Sequence, residues 1–135
     1  MPVFDAKLMY ISSGTVTNSQ SNGPLRVRGT GLKGLAGRVT INASAESTAK
    51  VLPRYWVSAD NSTYYLAATY PGGNQSLNKN GSPTPLELIT PIITDKEYIK
   101  EELVVVGTTA TSFSGIKSGL VMNVGYDYDR KEAFT

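Results

Sequence analysis

The chain has 135 residues, 40% of them hydrophobic, with 13 Lys and Arg against 11 Asp and Glu for a net charge of +2; these values suit one globular domain and exclude disorder by composition. It contains no cysteine and no histidine, which removes disulfides, thiolate metal sites and the commonest general base together. No apolar run nears the roughly 20 residues of a membrane-spanning helix, and so small a net charge makes no case for nucleic acid.

The opening Met1-Pro2-Val3-Phe4-Asp5 lacks the basic stretch and apolar run of a signal peptide, so synthesis in a cytoplasm is expected. Residues 6–11 read as the first strand and residues 12–24 as a polar connection. In a strand over 25–28, Arg26 and Arg28 point away from Leu25 and Val27 and toward solvent. With Lys33 and Arg38 they form a local basic cluster, suited to an acidic partner surface. Residues 29–37 hold Gly31, Gly34 and Gly37; their spacing fits no phosphate-cradling fingerprint, so a flexible inter-strand loop is expected. In 38–44, Val39, Ile41 and Ala43 alternate with polar residues, the pattern of a strand with one wet face.

Segments 51–58 and 64–70 flank Ala59-Asp60-Asn61-Ser62-Thr63, a cluster that favours a tight Asx-type turn, so 51–70 is predicted to be a hairpin. It is rich in aromatics: Tyr55, Trp56, Tyr64, Tyr65 and Tyr70. Trp56 is expected in the core. Tyr64, Leu66, Ala68 and Tyr70 share one face of an extended strand, which leaves Tyr65 on the opposite face as the interface candidate. Residues 71–85 read as a long exposed loop. Strands are predicted over 85–90 and 98–106, where Val104-Val105-Val106 outweighs the helix-friendly Lys100-Glu101-Glu102. A final alternating stretch brings Leu120, Met122, Val124 and Tyr126 to one side.

Roughly eight short antiparallel strands with Gly-, Pro- and Asn-rich turns predict an all-β single domain, a jelly roll or β-sandwich, over residues 1–125. Residues 126–135 read as a C-terminal arm in which Tyr126, Tyr128 and Phe134 could anchor a neighbouring subunit. The carboxylate pairs Glu101/Glu102 and Asp127/Asp129 read as solvated charge, since nothing places either across a cleft. Asp60-Asn61-Ser62 and Asp127-x-Asp129 supply oxygens but not a calcium-loop pattern. No catalytic residue, metal or cofactor is therefore expected.

Several segments resemble a family of small tailed-phage head proteins, the capsid cement or decoration proteins. Asp5-Ala6-Lys7-Leu8 resembles its Asp-Ala-x-Leu opening strand, and Val57-Ser58-Ala59-Asp60-Asn61-Ser62-Thr63 its central strand ending in a Ser-x-Asp turn. Glu97-Tyr98-Ile99 with Val104-Val105-Val106-Gly107-Thr108-Thr109 resembles its Tyr-led strand running into Val-x-Gly-Thr. Ser114-Gly115-Ile116-Lys117-Ser118-Gly119-Leu120-Val121 resembles its last strand, Gly-x-Ile-x-Ala-x-Leu-Val. The chain departs from the pattern in the 71–85 insertion and in Lys100-Glu101-Glu102, where the family is more apolar. The resemblance implies a jelly roll without catalysis, self-associated as a homodimer or homotrimer. It also implies a place in the virion, on the capsid surface against the major capsid protein. Two rival readings remain: a carbohydrate- or receptor-binding sandwich with a platform around Tyr55, Tyr64 and Tyr65, and a tail or neck component of the virion.

Overall fold

The computed structural model describes residues 8–27, 31–44, 49–79, 82–83, 85–107 and 113–122. Its elements in chain order are β1 (Met9–Val16), β2 (Gln20–Arg26), β3 (Lys33–Ile41), β4 (Ala43–Ser44), β5 (Lys50–Ser58) and β6 (Tyr65–Thr69). There follow β7 (Asn78–Lys79), β8 (Ser82–Pro83), β9 (Leu86–Thr94), β10 (Tyr98–Val106) and β11 (Phe113–Met122). One sheet has the order β1-β11-β3-β9, with β4 also on β11; the other has the order β2-β10-β5-β6; β7 and β8 form a small separate ribbon. All pairings are antiparallel.

The pairs β1/β11, β2/β10, β3/β9 and β5/β6 nest one inside the next, as in a single long hairpin wound over itself. That is the wiring of a jelly roll, in which successive strands alternate between two packed sheets. The sandwich predicted from alternation and turn chemistry is the fold. The strands run longer than the periodicity alone suggested. The supposed connection 12–24 is largely strand, because main-chain pairing of β1 to β11 and β2 to β10 tolerates polar side chains on wet faces. Likewise Lys33, Gly34 and Gly37 belong to β3 and not to a flexible loop.

The 51–70 hairpin forms, and its turn is built as its composition dictates. Asp60 Oδ1 accepts from the backbone N–H groups of Thr63 (3.1 Å) and Ser62 (2.9 Å) and from Ser58 Oγ (2.9 Å). These donors, Thr63 first, hold the Asp60 carboxyl below its usual range. Asn61 takes the left-handed conformation at φ 58° that Asn tolerates. The 71–85 segment is not simply an exposed loop: Gln75 bridges Val51 through paired main-chain bonds of 2.9 Å, and Leu77 is fully buried.

Both sheets turn their period-two faces inward, and the core falls into two apolar clusters. One gathers Val39, Ile41, Val51, Leu77, Leu88, Leu103, Phe113 and Ile116; the other gathers Leu35, Tyr55, Val57, Ile92, Ile99 and Leu120. On four strands the inward residue lying between the two clusters is small or polar: Gly37 on β3, Thr90 on β9, Glu101 on β10 and Ser118 on β11. All four are buried. A polar layer therefore crosses the middle of the sandwich.

Glu101 is its centre, at 0% exposure. Ser118 Oγ, from the opposite sheet, donates to Glu101 Oε1 at 2.8 Å, Asn22 Nδ2 of β2 donates to the same oxygen at 3.1 Å, and the Tyr55 hydroxyl donates to Oε2 at 3.0 Å. The reading of Glu101 as solvated charge is thus corrected. Adjacent residues on a strand face opposite sides, so Glu102 takes the wet face and Glu101 the core. Tyr10, from β1, crosses to the other sheet in the same way, its hydroxyl donating to the Ile99 carbonyl at 2.7 Å. The Thr90 hydroxyl is buried with no partner among the described residues.

The Tyr55 ring reaches Glu101 by resting on Gly37, where an added Cβ would lie 1.9 Å from Tyr55 Cζ. Gly37→Ala must therefore displace the ring and its hydrogen bond, at a cost of about 3 kcal/mol in urea unfolding. Leu77→Ala should cost a similar amount, about 3 kcal/mol; a loss below about 1 kcal/mol would mean that the 71–85 segment is not anchored in the core.

Candidate interaction surface

The outer face of the β2-β10-β5-β6 sheet concentrates the aromatic and cationic side chains of the hairpin and of β10. Cross-strand register puts Tyr98 opposite Arg26 and Ser58, Lys100 opposite Trp56, Trp56 opposite Leu66, and Glu102 opposite Arg54. Trp56 is therefore not a core residue. It shares its parity with Leu52 and Arg54, while Val51, Tyr55 and Val57 take the buried side.

The same register accounts for Leu66. The β5/β6 ladder shifts by one residue between Tyr55↔Ala68 and Trp56↔Leu66, so Ala67 is a bulge and the faces switch across it. Ala68 packs on the core, while Leu66 stands 45% exposed beside Trp56. The strict alternation that grouped Tyr64, Leu66, Ala68 and Tyr70 on one face fails at this single residue. Tyr65, the interface candidate, is 66% exposed on this edge strand.

Each ring on the face carries a cation. The Arg26 guanidinium lies 5.5 Å from the Tyr98 centroid, Arg54 5.3 Å from the Trp56 ring, and Lys100 Nζ 4.4 Å from the Tyr64 ring. Acids complete two of these stacks. Glu97 holds Arg26 at 3.0 Å, and Glu102 lies 3.7 Å from Arg54 and accepts from Trp56 Nε1 at 3.1 Å. The result is a patterned face on which three rings each lie against a cation. Of the three tyrosines named for a sugar-stacking platform, Tyr55 is wholly inside the core, Tyr64 lies under Lys100 and Tyr65 stands exposed.

The basic cluster read from sequence is divided among elements. Arg26 closes β2 on this face. Lys33 opens β3 in the other sheet, its Nζ donating to the carbonyls of Asp95 (3.3 Å) and Lys96 (3.4 Å). Arg38, on the outer face of that other sheet, donates from Nε to Glu87 at 2.9 Å. Consecutive strands of a jelly roll enter different sheets, so residues close in sequence between 26 and 38 separate in space. Arg28, Tyr126, Tyr128 and Phe134 lie outside the described residues, as do Asp127 and Asp129. Sequence reading missed Arg54, Tyr98 and Lys100 as members of a surface. The parity of Leu52-Arg54-Trp56 was the available signal, since a charged residue between two apolar ones marks the wet side.

Among the described residues no three acidic side chains converge as a metal site would require. No family model matches the chain, and no curated protein matches it.

Trp56 is the chain's only tryptophan, so its fluorescence reports on this face alone. Arg54→Ala should uncover the indole, raising its quenching by acrylamide while lowering stability by less than about 1 kcal/mol. Unchanged quenching would show that Arg54 does not cover the ring in solution.

Proposed function

We propose that this chain is a non-catalytic structural protein of a virion, a capsid cement or decoration protein that attaches to the outer surface of a tailed-phage head. In this reading it bridges neighbouring major capsid protein subunits and self-associates as a homodimer or homotrimer. The observation that carries it is the outer face of the β2-β10-β5-β6 sheet, where Trp56, Leu66 and Tyr98 sit among Arg26, Arg54 and Lys100 on a fixed ladder. Aromatic and arginine side chains spread across one sheet face suit a protein partner better than a small substrate. Of the segments that resemble the family, 57–63 holds the turn that flanks this face and 97–99 contributes Tyr98 to it.

The chemistry of the chain supports the absence of catalysis in this reading. It has no histidine or cysteine, and Glu101, the carboxyl that burial pushes up, is sealed in the core away from any substrate. Exposed Tyr65 on the edge strand β6 suits a contact with a second copy.

A cement protein stabilises a shell only through contacts that span subunit boundaries, because contacts within one subunit favour free and assembled forms alike. Purified protein should co-sediment with undecorated heads, raise their rupture temperature and bind isolated capsid subunits little. Leu66→Asp, on the solvent side of an edge strand, should weaken attachment to heads by at least tenfold, about 1.4 kcal/mol, with the melting temperature kept. Equal affinity for heads and subunits, or no attachment to heads, would end this reading.

A further inference from the structure

We infer that Glu101 is a pH-sensitive bolt between the two sheets, holding the sandwich tightest when its carboxyl is neutral and loosening it when the carboxylate forms. The inference is independent of the capsid reading and rests on what surrounds this group.

Every described neighbour that donates to Glu101 inside the sandwich is neutral. Ser118 reaches it from β11, Tyr55 from β5 and Asn22 from β2. The remaining titratable group near it is the Tyr10 phenol of β1, and burial, followed by Glu101 itself, holds both phenols in their neutral form. β3 and β9 contribute only Gly37 and Thr90 to this layer. On β10 itself, Lys100 and Glu102 turn to the opposite face, engaged with Tyr64 and with Trp56 and Arg54. No described cation faces the carboxyl, so three hydrogen bonds are all that offset the removal of its charge from water.

Three neutral donors do not replace full hydration. Burial accordingly pushes the Glu101 carboxyl up from its usual 4.5 to about 7, against the pull of Ser118, Asn22 and Tyr55. Below the ordinary carboxyl range, folded and unfolded chains both hold the proton and the group has no effect on stability. Between that range and about 7 only the folded chain holds it, so raising the pH favours unfolding throughout this window. Above the window the effect is complete. The span corresponds to a rise of roughly 300-fold in the unfolding equilibrium constant.

The experiment is urea unfolding of the wild type and Glu101→Gln at pH 5 and pH 8, with amide hydrogen exchange followed on β10 and β11. The inference requires the wild type to lose stability on the order of a hundredfold between the two pH values, with faster exchange across both strands. The substituted protein, which keeps the shape but cannot ionise, should lack that loss. Equal pH dependence in the two proteins would overturn the inference. Should Glu101→Gln not fold, infrared spectra of the wild type decide. A protonated-carboxyl carbonyl band present at pH 5, lost by pH 8 and moved to lower frequency by 13C labelling of the Glu101 carboxyl supports the bolt. A carboxylate already ionised at pH 5 overturns it.

Discussion

A carboxyl group placed midway between two sheets must either find donors for its oxygens or stay neutral, and much of this sandwich is arranged around that requirement. Satisfying Glu101 draws Ser118 from the facing sheet, Asn22 from the neighbouring edge strand and Tyr55 from the adjacent one. Tyr55 in turn can lie flat across the gap only because Gly37 leaves room for its ring. One carboxyl side chain is thus matched by residues on four other strands. An apolar core would hold two sheets together as firmly, but it would tolerate sliding by a pair of residues. A hydrogen-bonded layer of this kind accepts one register.

The two faces of β10 divide the labour. Inward, Ile99, Glu101 and Leu103 bind the sandwich together; outward, Tyr98, Lys100 and Glu102 organise the aromatic and cationic surface. Because the same backbone fixes the parity of both faces, the outer pattern follows from the inner one.

The fold was readable in the sequence wherever a strand alternates and a turn announces itself. The hairpin of β5 and β6, its Asp60 turn and the limits of β10 follow from residue types alone. Three features were not readable, each for a physical reason. The extra residue at Ala67 reverses the faces of β6, and nothing in Leu66-Ala67-Ala68 marks it. Glu101 enters the core against its hydrophilicity because its donors come from distant parts of the chain, Asn22 and Tyr55 among them. The scattering of Arg26, Lys33 and Arg38 depends on which sheet each strand joins, a matter of pairing and not of local pattern. The inward parity of Gly37, Thr90, Glu101 and Ser118 was present in the sequence, but only the pairing of their strands reveals a common layer.

The nested pairing also has a consequence for the order in which the protein can be made. In the first sheet β11, the last strand, lies between β1 and β3; in the second, β10 lies between β2 and β5. In each sheet, therefore, one of the two central strands is the last of the described strands to be synthesised. Until then β1 and β2 have no partners within their own sheets, and each must wait for a segment about a hundred or fewer residues downstream, the long-range closure that makes folding slow. The β5/β6 and β3/β9 ladders can form earlier, but the two sheets are complete only once β10 and β11 pair with their neighbours. A growing chain must stay soluble through its polar, Ser- and Asn-rich early strands until that moment arrives.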